Sequence, residues 1–294
     1  NLAVDIDGAR RLAPSCELPE IDSIVSTLLV RHPTMGAEAA SVSRLENIIG
    51  RLSNGDPTAL NDFGSPHWRN LGMASNQIGS LRDAVVSEVT ASLARHDGSR
   101  LVRLLMVGAD HFATAADLSA RFGNVEITLT DLNDDRLEQA RTAIGDSAPL
   151  VRCVSWPQLE SLRPASLDLA FAVDALSEVA AGSDGGITVI TRLLRPDAPL
   201  IAGELAPSAF WDIVRGGRGR WWARSANAEF PVGALLTDQE WIDELETAGF
   251  SGISVSPACG EARIGVVVRG LARSGTDRNA TAAIEPALFS WRGT

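Results

Sequence analysis

The chain has 294 residues, of which 45% are hydrophobic and 21% are charged. These proportions are those of an ordinary globular protein, and the length allows one large domain or a core with a smaller lobe. The net charge of -11 argues against nucleic acid as the main partner, because phosphate binding needs a basic face. No apolar run reaches the length of a membrane span, so we expect no membrane partner either.

The cysteines Cys16, Cys153 and Cys259 are far apart and odd in number. Neither they nor the four scattered histidines have the spacing of metal ligands, so we predict reduced thiols and no metal site. Reduced thiols, together with an N-terminus that has no signal pattern, favour a cytoplasmic protein. The first residue is Asn, which suggests a piece cut from a longer chain.

The first third of the chain has a helical pattern. Residues 1–16 show little periodicity, and we interpret them as a linker. From Glu17 to about Ser53 apolar residues recur at helical spacing, with a break at Pro33, and another helix is predicted over residues 76–95. We therefore predict a helical lobe over residues 17–96, ahead of the main core.

The stretch from Leu101 to Asp131 predicts a strand, a glycine turn, a helix through Arg121 and a second strand over Val125–Thr130. This order is the opening βαβ unit of a doubly wound sheet. Asp131 lies some twenty residues beyond Gly108, at the position where an acid usually meets a cofactor ribose.

Strands and helices continue to alternate after this unit, which is typical of a parallel or mixed sheet covered by helices. We predict strands at residues 150–154, 167–173, 200–203, 253–255 and 264–270, and helices at 134–144, 186–194 and 238–248. The expected fold class is α/β, with the core over residues 97–272. Residues 273–294 have the composition of a second linker.

Five passages of this core, in order and spacing, resemble the C-methyltransferase domains of polyketide synthases. They read LLMVGADHF, LTDLNDDRLEQAR, LDLAFAVDALSE and RLLRPDAPLIAGEL, followed by a tryptophan-rich segment that begins GRGRWW. The resemblance extends over nearly all of residues 17–270. It implies a Rossmann-like class I methyltransferase core that binds S-adenosylmethionine, with an N-terminal helical lid. It also implies a histidine–glutamate pair that takes a proton from the α-carbon of a β-ketoacyl chain on acyl carrier protein.

The resemblance assigns five positions to the cofactor site: Gly108, Asp110, Asp131, Leu132 and Asp174. The family's loop reads acid-x-Gly-x-Gly-x-Gly-Gly, and of these residues only Gly108 is kept. Asp110 replaces the second glycine, and a carboxylate about 4 Å from the carboxylate of the cofactor would be repelled by roughly 4 kcal/mol at an effective dielectric of about 20. The altered loop therefore predicts weakened cofactor binding.

Three interpretations of the loop remain open. It is a strand-to-helix turn released from ligand constraints, with Phe112 packed inward, or it is still a working cofactor site, or Asp110 and His111 form a new site. Asp131 also fits a structural role at the start of the next helix, because acids are favoured in a first turn.

The family's catalytic histidine corresponds to Ser177, and its glutamate corresponds to Glu204. Serine cannot act as a base unaided at neutral pH, and a positioned acid–base group contributes about 10²- to 10⁴-fold to a rate. Glu204 is then either a vestige of the catalytic pair or a polar strand end. His111 is the histidine that could replace the missing base, although a lone histidine is more often structural.

Four arginines, Arg215, Arg218, Arg220 and Arg224, surround Trp221 and its neighbour in an otherwise acidic chain. One interpretation is packing, in which the tryptophans cover the sheet and the arginines extend over them. The other is a docking surface for an acidic carrier domain, since complementary charge speeds and orients encounter.

The losses in the loop and at the base position together predict a non-catalytic pseudo-C-methyltransferase. Such a domain would be a scaffold in a polyketide synthase or a fatty-acid-synthase-like megasynthase, with the neighbouring domains as partners and no cofactor. The alternative is an active S-adenosylmethionine-dependent C-methyltransferase. A third hypothesis is an enzyme that acts on the same carrier-bound chain without methyl transfer.

Overall fold

The computed structural model describes residues 3–6, 9–12, 20–64, 71–96, 98–182, 185–216, 221–222, 224, 233–258 and 264–273. The chain divides into two compact units, Asn1–Leu71 and Gly72–Thr294. Most of the second predicted linker lies outside the described residues.

The first unit contains a short hairpin and two helices. β1 (Ala3–Ile6) pairs antiparallel with β2 (Ala9–Leu12), and α1 (Ile21–Arg31) packs against α2 (Gly36–Ser53), which a 3₁₀ segment (Pro57–Gly64) follows. The predicted helical pattern with a break at proline is confirmed. The hairpin lies within residues 1–16, where the sequence shows no period because strands of 4 residues are too short for one, and the interpretation of this stretch as a linker stays a prediction.

The second unit is built around a seven-stranded sheet. Its strands are β3 (Val102–Val107), β4 (Val125–Thr130), β5 (Val151–Cys153), β6 (Leu169–Val173), β7 (Pro199–Leu205), β8 (Phe250–Pro257) and β9 (Gly265–Ala272). They lie in the order β5-β4-β3-β6-β7-β9-β8. The first five are parallel, and β9 runs antiparallel to both of its neighbours. The predicted α/β class with a mixed sheet is confirmed.

The helices of this unit are α3 (Asn76–Leu93), α4 (Phe112–Arg121), α5 (Asp134–Ile144), α6 (Trp156–Glu160), α7 (Leu176–Gly182), α8 (Gly186–Leu193), α9 (Ala209–Arg215) and α10 (Asp238–Thr247). The longer ones follow the predicted bounds to within two residues. The sequence analysis did not predict α6, α7 and α9. Helices of 5 or 7 residues complete too few turns for a helical period to appear in the sequence.

The core lies against a sheet that is covered by helices. All five residues of β6 are buried, as the continuous apolar run LAFAV predicts for a central parallel strand. On one face of the sheet α8 and α10 contribute Ile187, Ile190 and Trp241, each with 1% exposure or less. Because helices and packed side chains close this face of the sheet, a ligand site can lie at the ends of the strands.

α3 packs directly on the sheet. A Cβ atom at Gly203 would lie 2.7 Å from Cγ2 of Val85 and 3.2 Å from the carbonyl oxygen of Leu81, so the glycine allows close contact between helix and strand. The helix therefore belongs to the second unit, although the predicted boundary after residue 96 groups it with the lobe. The division into a lid and a core remains a prediction.

Candidate functional site

The candidate site lies at the carboxyl edge of the parallel strands. β3 ends before Gly108, β4 ends before Asp131 and β6 ends before Asp174, while Glu204 is the next-to-last residue of β7. The four positions that the sequence assigned from separate motifs thus lie at one edge of one sheet. Open α/β sheets bind their ligands at this edge.

Gly108 has a structural reason of its own. Its φ of +100° favours glycine, and a Cβ atom built there would lie 2.6 Å from Cβ of Ala175. Ala175 follows β6, so the glycine lets the turn after β3 approach the turn after β6. The one glycine that survives from the cofactor loop is therefore required by the packing, whether or not a cofactor binds.

The carboxylate of Asp131 is buried, and donors of the protein occupy its Oδ1. Its Oδ2 accepts from the amide of Ala109 at 2.8 Å, and its Oδ1 accepts from the amide of Asn133 at 2.8 Å and from Nε of Arg136 at 3.1 Å. Nη2 of Arg136 is also 2.9 Å from Oδ1, and the side chain of Asp131 is 3% exposed. Burial raises the pKa of Asp131 despite the nearby guanidinium. Three of these four contacts are to Oδ1 and one is to Oδ2, so Oδ1 is fully occupied while Oδ2 keeps one acceptor site.

Arg136, on the first turns of α5, links three carboxylates. Besides Asp131, its guanidinium is 2.5 Å from Oε2 of Glu178 and 3.6 Å from Oδ2 of Asp110. Burial lowers the pKa of Arg136, but the ion pairs outweigh that effect and raise it above the ordinary value. The arginine is therefore charged at every working pH, and it ties together the turn after β3, the end of β4 and α7.

The residues present do not fit S-adenosylmethionine in this arrangement. The two hydroxyl groups of a ribose would need a free acceptor site on each oxygen of Asp131, and donors of the protein already occupy Oδ1. Asp110 adds a carboxylate to the loop that is glycine-rich in the resembling family, and this carboxylate faces Arg136. Leu132 packs against the hydrophobic core cluster. The assignment of these positions to a cofactor remains a prediction from the resemblance.

Glu204 is fully buried and caps the first turn of α7. Its Oε1 accepts from the amides of Ala175 at 3.1 Å and Leu176 at 2.7 Å, and its Oε2 accepts from the amide of Ser177 at 3.2 Å. Burial, with a smaller contribution from Asp174, raises the pKa of Glu204 to about 7, although the amides of Leu176 and Ser177 and the side chain of Ser177 favour the charged form. The glutamate at the family's catalytic position therefore serves the backbone of the turn.

Ser177 lies in the same turn and is 1% exposed. The amide of Ser177 donates to Glu204, and its side chain also interacts with that carboxylate. A buried hydroxyl beside a carboxylate has no group of its own that could take a proton from carbon. The structure thus places the predicted pair Ser177 and Glu204 together, with both oxygens of the glutamate accepting backbone amides.

Asp174 and Arg215 form a buried ion pair. Nη1 of Arg215 is 2.9 Å from Oδ1 of Asp174, Nη2 contacts Oδ2, and the two side chains are 4% and 7% exposed. The guanidinium lies over the ring of Trp211 at 4.7 Å and over that of Trp221 at 5.8 Å. Asp174 has a φ of +51°, which is rare outside glycine, so the pair holds a strained position at the end of β6.

His111 is 6% exposed and lies in the turn after β3. Burial lowers its pKa, and the charges of Arg82 and Arg215 act in the same direction, while Asp174 opposes them. The ring is therefore neutral near pH 7 and lies within the electrostatic range of the Asp174–Arg215 pair. This is the histidine that the sequence analysis named as a replacement base.

The positions of the arginines in the arginine-rich segment disagree with their interpretation as a docking surface. Arg215 is buried and paired, so it cannot form part of a docking surface, and that prediction is wrong for this residue. Arg224 contacts Oε1 of Glu240 and donates to the carbonyl of Leu235 at 2.9 Å. Arg218 and Arg220 lie outside the described residues.

Sequence reasoning missed Arg136, Arg215 as a partner of Asp174, and Glu178. A signal for Arg136 existed, because it is the single cation in the acidic run DLNDDRLE that follows β4. Nothing local links Arg215 to Asp174, since the two residues are 41 positions apart in the chain. In the part of the chain that the structure describes, no group of three or more His, Cys, Asp or Glu residues could hold a metal ion.

The strand order, with an antiparallel β9 between β7 and β8, defines a Rossmann-like class I methyltransferase fold. Among solved structures, the citrinin polyketide synthase CMeT domain shares this fold with a TM-score of 0.75 and 21% identity, over 93% of this chain and 75% of that one. The DszA carbon methyltransferase matches with a TM-score of 0.73 and 17% identity, over 92% of this chain and 75% of that one. The fold is thus that of polyketide synthase C-methyltransferase domains.

Among curated proteins, the highly reducing polyketide synthase sphB of Aspergillus fumigatus is 24% identical over 214 residues. The match covers 72% of this chain but only 7% of that synthase, so the chain spans a small part of the length of its relative. No protein-family model matches the sequence. Among the described residues, no helix is both long and apolar enough to cross a membrane.

Proposed function

We propose that the chain is a non-catalytic pseudo-C-methyltransferase domain, which acts as a scaffold within a polyketide synthase or a fatty-acid-synthase-like megasynthase. The fold and the sphB match support a place in such a synthase. The neighbouring megasynthase domains are the partners that this role requires.

One observation carries the proposal: the two positions that correspond to the family's catalytic pair take part in the hydrogen bonds of a backbone turn. Ser177 stands where the resembling family has its base, and both oxygens of Glu204 accept backbone amides of the turn at residues 175–177. Loss of a positioned base alone costs about 10²- to 10⁴-fold in rate. The occupied Oδ1 of Asp131 adds a second, independent obstacle on the cofactor side.

The test is product formation. The chain is incubated with S-adenosylmethionine and a β-ketoacyl acyl carrier protein, and the acyl chain is analysed by mass spectrometry, with an active C-methyltransferase domain as the positive control. We expect no methylated chain from this protein. A methylated chain that forms at a rate comparable with the control would sink the scaffold proposal.

The alternative, an active S-adenosylmethionine-dependent C-methyltransferase, is favoured by the position of His111. This neutral, buried imidazole lies near Asp174 at the same sheet edge and is the remaining candidate base. If the alternative holds, replacement of His111 by Gln abolishes a methylation that the unaltered chain performs. The third hypothesis, action without methyl transfer, predicts another mass change or exchange of the α-proton in the same assay.

Docking of acyl carrier protein now rests on the sequence alone. Arg215 is excluded by its burial, and Arg224 is committed to Glu240. Charge reversal at Arg218 and Arg220 together should weaken binding of an acidic carrier protein, measured by calorimetry at low salt. Unchanged binding would remove the carrier from the proposed partners.

A further inference from the structure

The cluster around Arg136 joins carboxylates from three parts of the second unit. Asp110 comes from the turn after β3, Asp131 from the end of β4, and Glu178 from α7. The guanidinium lies between them and its side chain is 20% exposed. Without it, three acids would face one another at the edge of the sheet.

Arginine suits this position better than any other side chain. Its planar fork presents five N–H donors and it remains charged when it is partly buried. Here the Nε and Nη2 atoms serve Asp131, while Nη1 and Nη2 reach Glu178 at 3.4 and 2.5 Å. The planar guanidinium therefore binds two carboxylates at once through different nitrogens, which the single ammonium group of a lysine could not reproduce.

The same contacts close the position where the resemblance places a ribose. A pair of vicinal hydroxyl groups binds a carboxylate by donating to it, and the donors on Asp131 already include two nitrogens of Arg136. An incoming nucleoside would have to displace a charged group that three acids hold. It would also take from that guanidinium its contacts with Asp131 and leave it with Glu178 and Asp110.

We infer that Arg136 is an internal substitute for the ribose of a nucleoside cofactor, and that it closes a nucleoside-binding site which the rest of the fold still provides. The inference rests on the proposed function and names the residue responsible on the cofactor side. It makes the site latent: Asp131 keeps its place and orientation through the amides of Ala109 and Asn133 when the arginine is removed. The ligand class is a ribonucleoside with a free vicinal diol, for which S-adenosylhomocysteine and adenosine are the probes.

The experiment measures binding of both probes by calorimetry to the unaltered chain and to Arg136→Ala, Arg136→Gln, Asp110→Gly and Arg141→Ala. Arg141 is the matched control, because it is on the same helix, is 49% exposed and pairs only with the exposed Glu138. We expect at least about tenfold tighter binding to Arg136→Ala than to the unaltered chain, which corresponds to about 1.4 kcal/mol. Binding to Arg136→Gln should be intermediate, because glutamine keeps a donor but no charge. Arg141→Ala should behave like the unaltered chain, and a gain at Asp110→Gly as large as that at Arg136→Ala would assign the block to Asp110 and overturn the inference.

Folding of each variant is checked by circular dichroism. If the Arg136 variants fold and bind no better than the unaltered chain, or if the unaltered chain binds equally well, the inference is wrong. If Arg136→Ala does not fold, Arg136→Gln decides: tighter binding than to the unaltered chain supports the inference, and no gain overturns it.

The outcome is separable from that of the proposed function. A variant that gains nucleoside binding and forms no methylated chain supports both proposals. One that binds and also methylates leaves the assignment of Arg136 standing and contradicts the non-catalytic role of the Ser177–Glu204 turn. Failure of every variant to bind removes the inference and leaves the scaffold proposal intact.

Discussion

Arg215 holds the carboxylate of Asp174 with both terminal nitrogens, and neither side chain is more than 7% exposed. The pair joins the end of α9 to the turn after β6. A buried ion pair contributes little net stability by itself, but removal of one partner leaves an uncompensated charge. The position of Asp174 in the αL region shows that the surrounding contacts fix this turn against a local cost.

Replacement of Arg215 by Ala should therefore be strongly destabilising, by about 3–5 kcal/mol in the free energy of unfolding. The matched variant is Arg224→Ala, whose pair with Glu240 is 25% and 39% exposed and should cost about 1 kcal/mol or less. Urea denaturation of the two variants measures the difference. Equal losses would show that burial does not determine the effect.

The turn after β3 gives a prediction that separates packing from ligand binding. Gly108→Ala places a Cβ atom at 2.6 Å from Cβ of Ala175 in a residue with φ of +100°, so we expect a loss of at least about 2 kcal/mol. Gly123→Ala is the control, since nothing lies within 4 Å of its Cβ position. The double variant Gly108→Ala/Ala175→Gly should recover part of the loss in thermal unfolding. No recovery would mean that the close approach to Ala175 is not what requires the glycine.

The outline of the fold could be predicted because its signals are local. The apolar runs of β3, β4 and β6 and the turn at Gly108 can each be recognised within a few residues of sequence. Side-chain pairing is different, since it depends on which strand ends become neighbours in the sheet. The sequence therefore placed Asp131, Asp174 and Glu204 at one edge of the sheet and gave no indication of the groups that bind them.

The arginine-rich segment is a second case in which the sequence does not predict side-chain pairing. Four arginines close together indicated a charged surface, but Arg215 lies at the end of α9 and points into the second unit, where Asp174 needs a cation. An acidic residue in the αL position and a distant arginine share no pattern in sequence. The composition of the segment predicts its positive charge but not the direction in which an arginine side chain points.

His111 should make the stability of the protein depend on pH in the acid range. Burial lowers its pKa below the ordinary value of about 6.5, so the unfolded chain binds more protons than the folded one as the pH falls below that value. The contribution of the neutral ring is present above about pH 6.5 and is lost as the pH falls through the folded pKa. Relative to His111→Gln, the unaltered chain should lose free energy of unfolding over this range. A constant difference between the two proteins would contradict a buried neutral imidazole.

Glu204 should produce a dependence of the opposite sign over a neighbouring range. Its pKa is raised to about 7 in the folded protein, from an ordinary value near 4.5, so the folded state binds more protons between these two values. The stability that protonated Glu204 contributes is present below about pH 4.5 and is lost as the pH rises through about 7, by up to about 3 kcal/mol.

The variant Glu204→Gln isolates this effect, because it keeps a carbonyl acceptor for the amides of Ala175 and Leu176 but cannot titrate. Urea unfolding at several pH values should give a stability difference between the two proteins that moves in favour of the variant as the pH rises from about 4.5 to about 7. A difference that stays constant over this range would mean that the amides dominate over burial and hold Glu204 ionised. The carboxylate would then be an anionic cap that is charged throughout the working range of the protein.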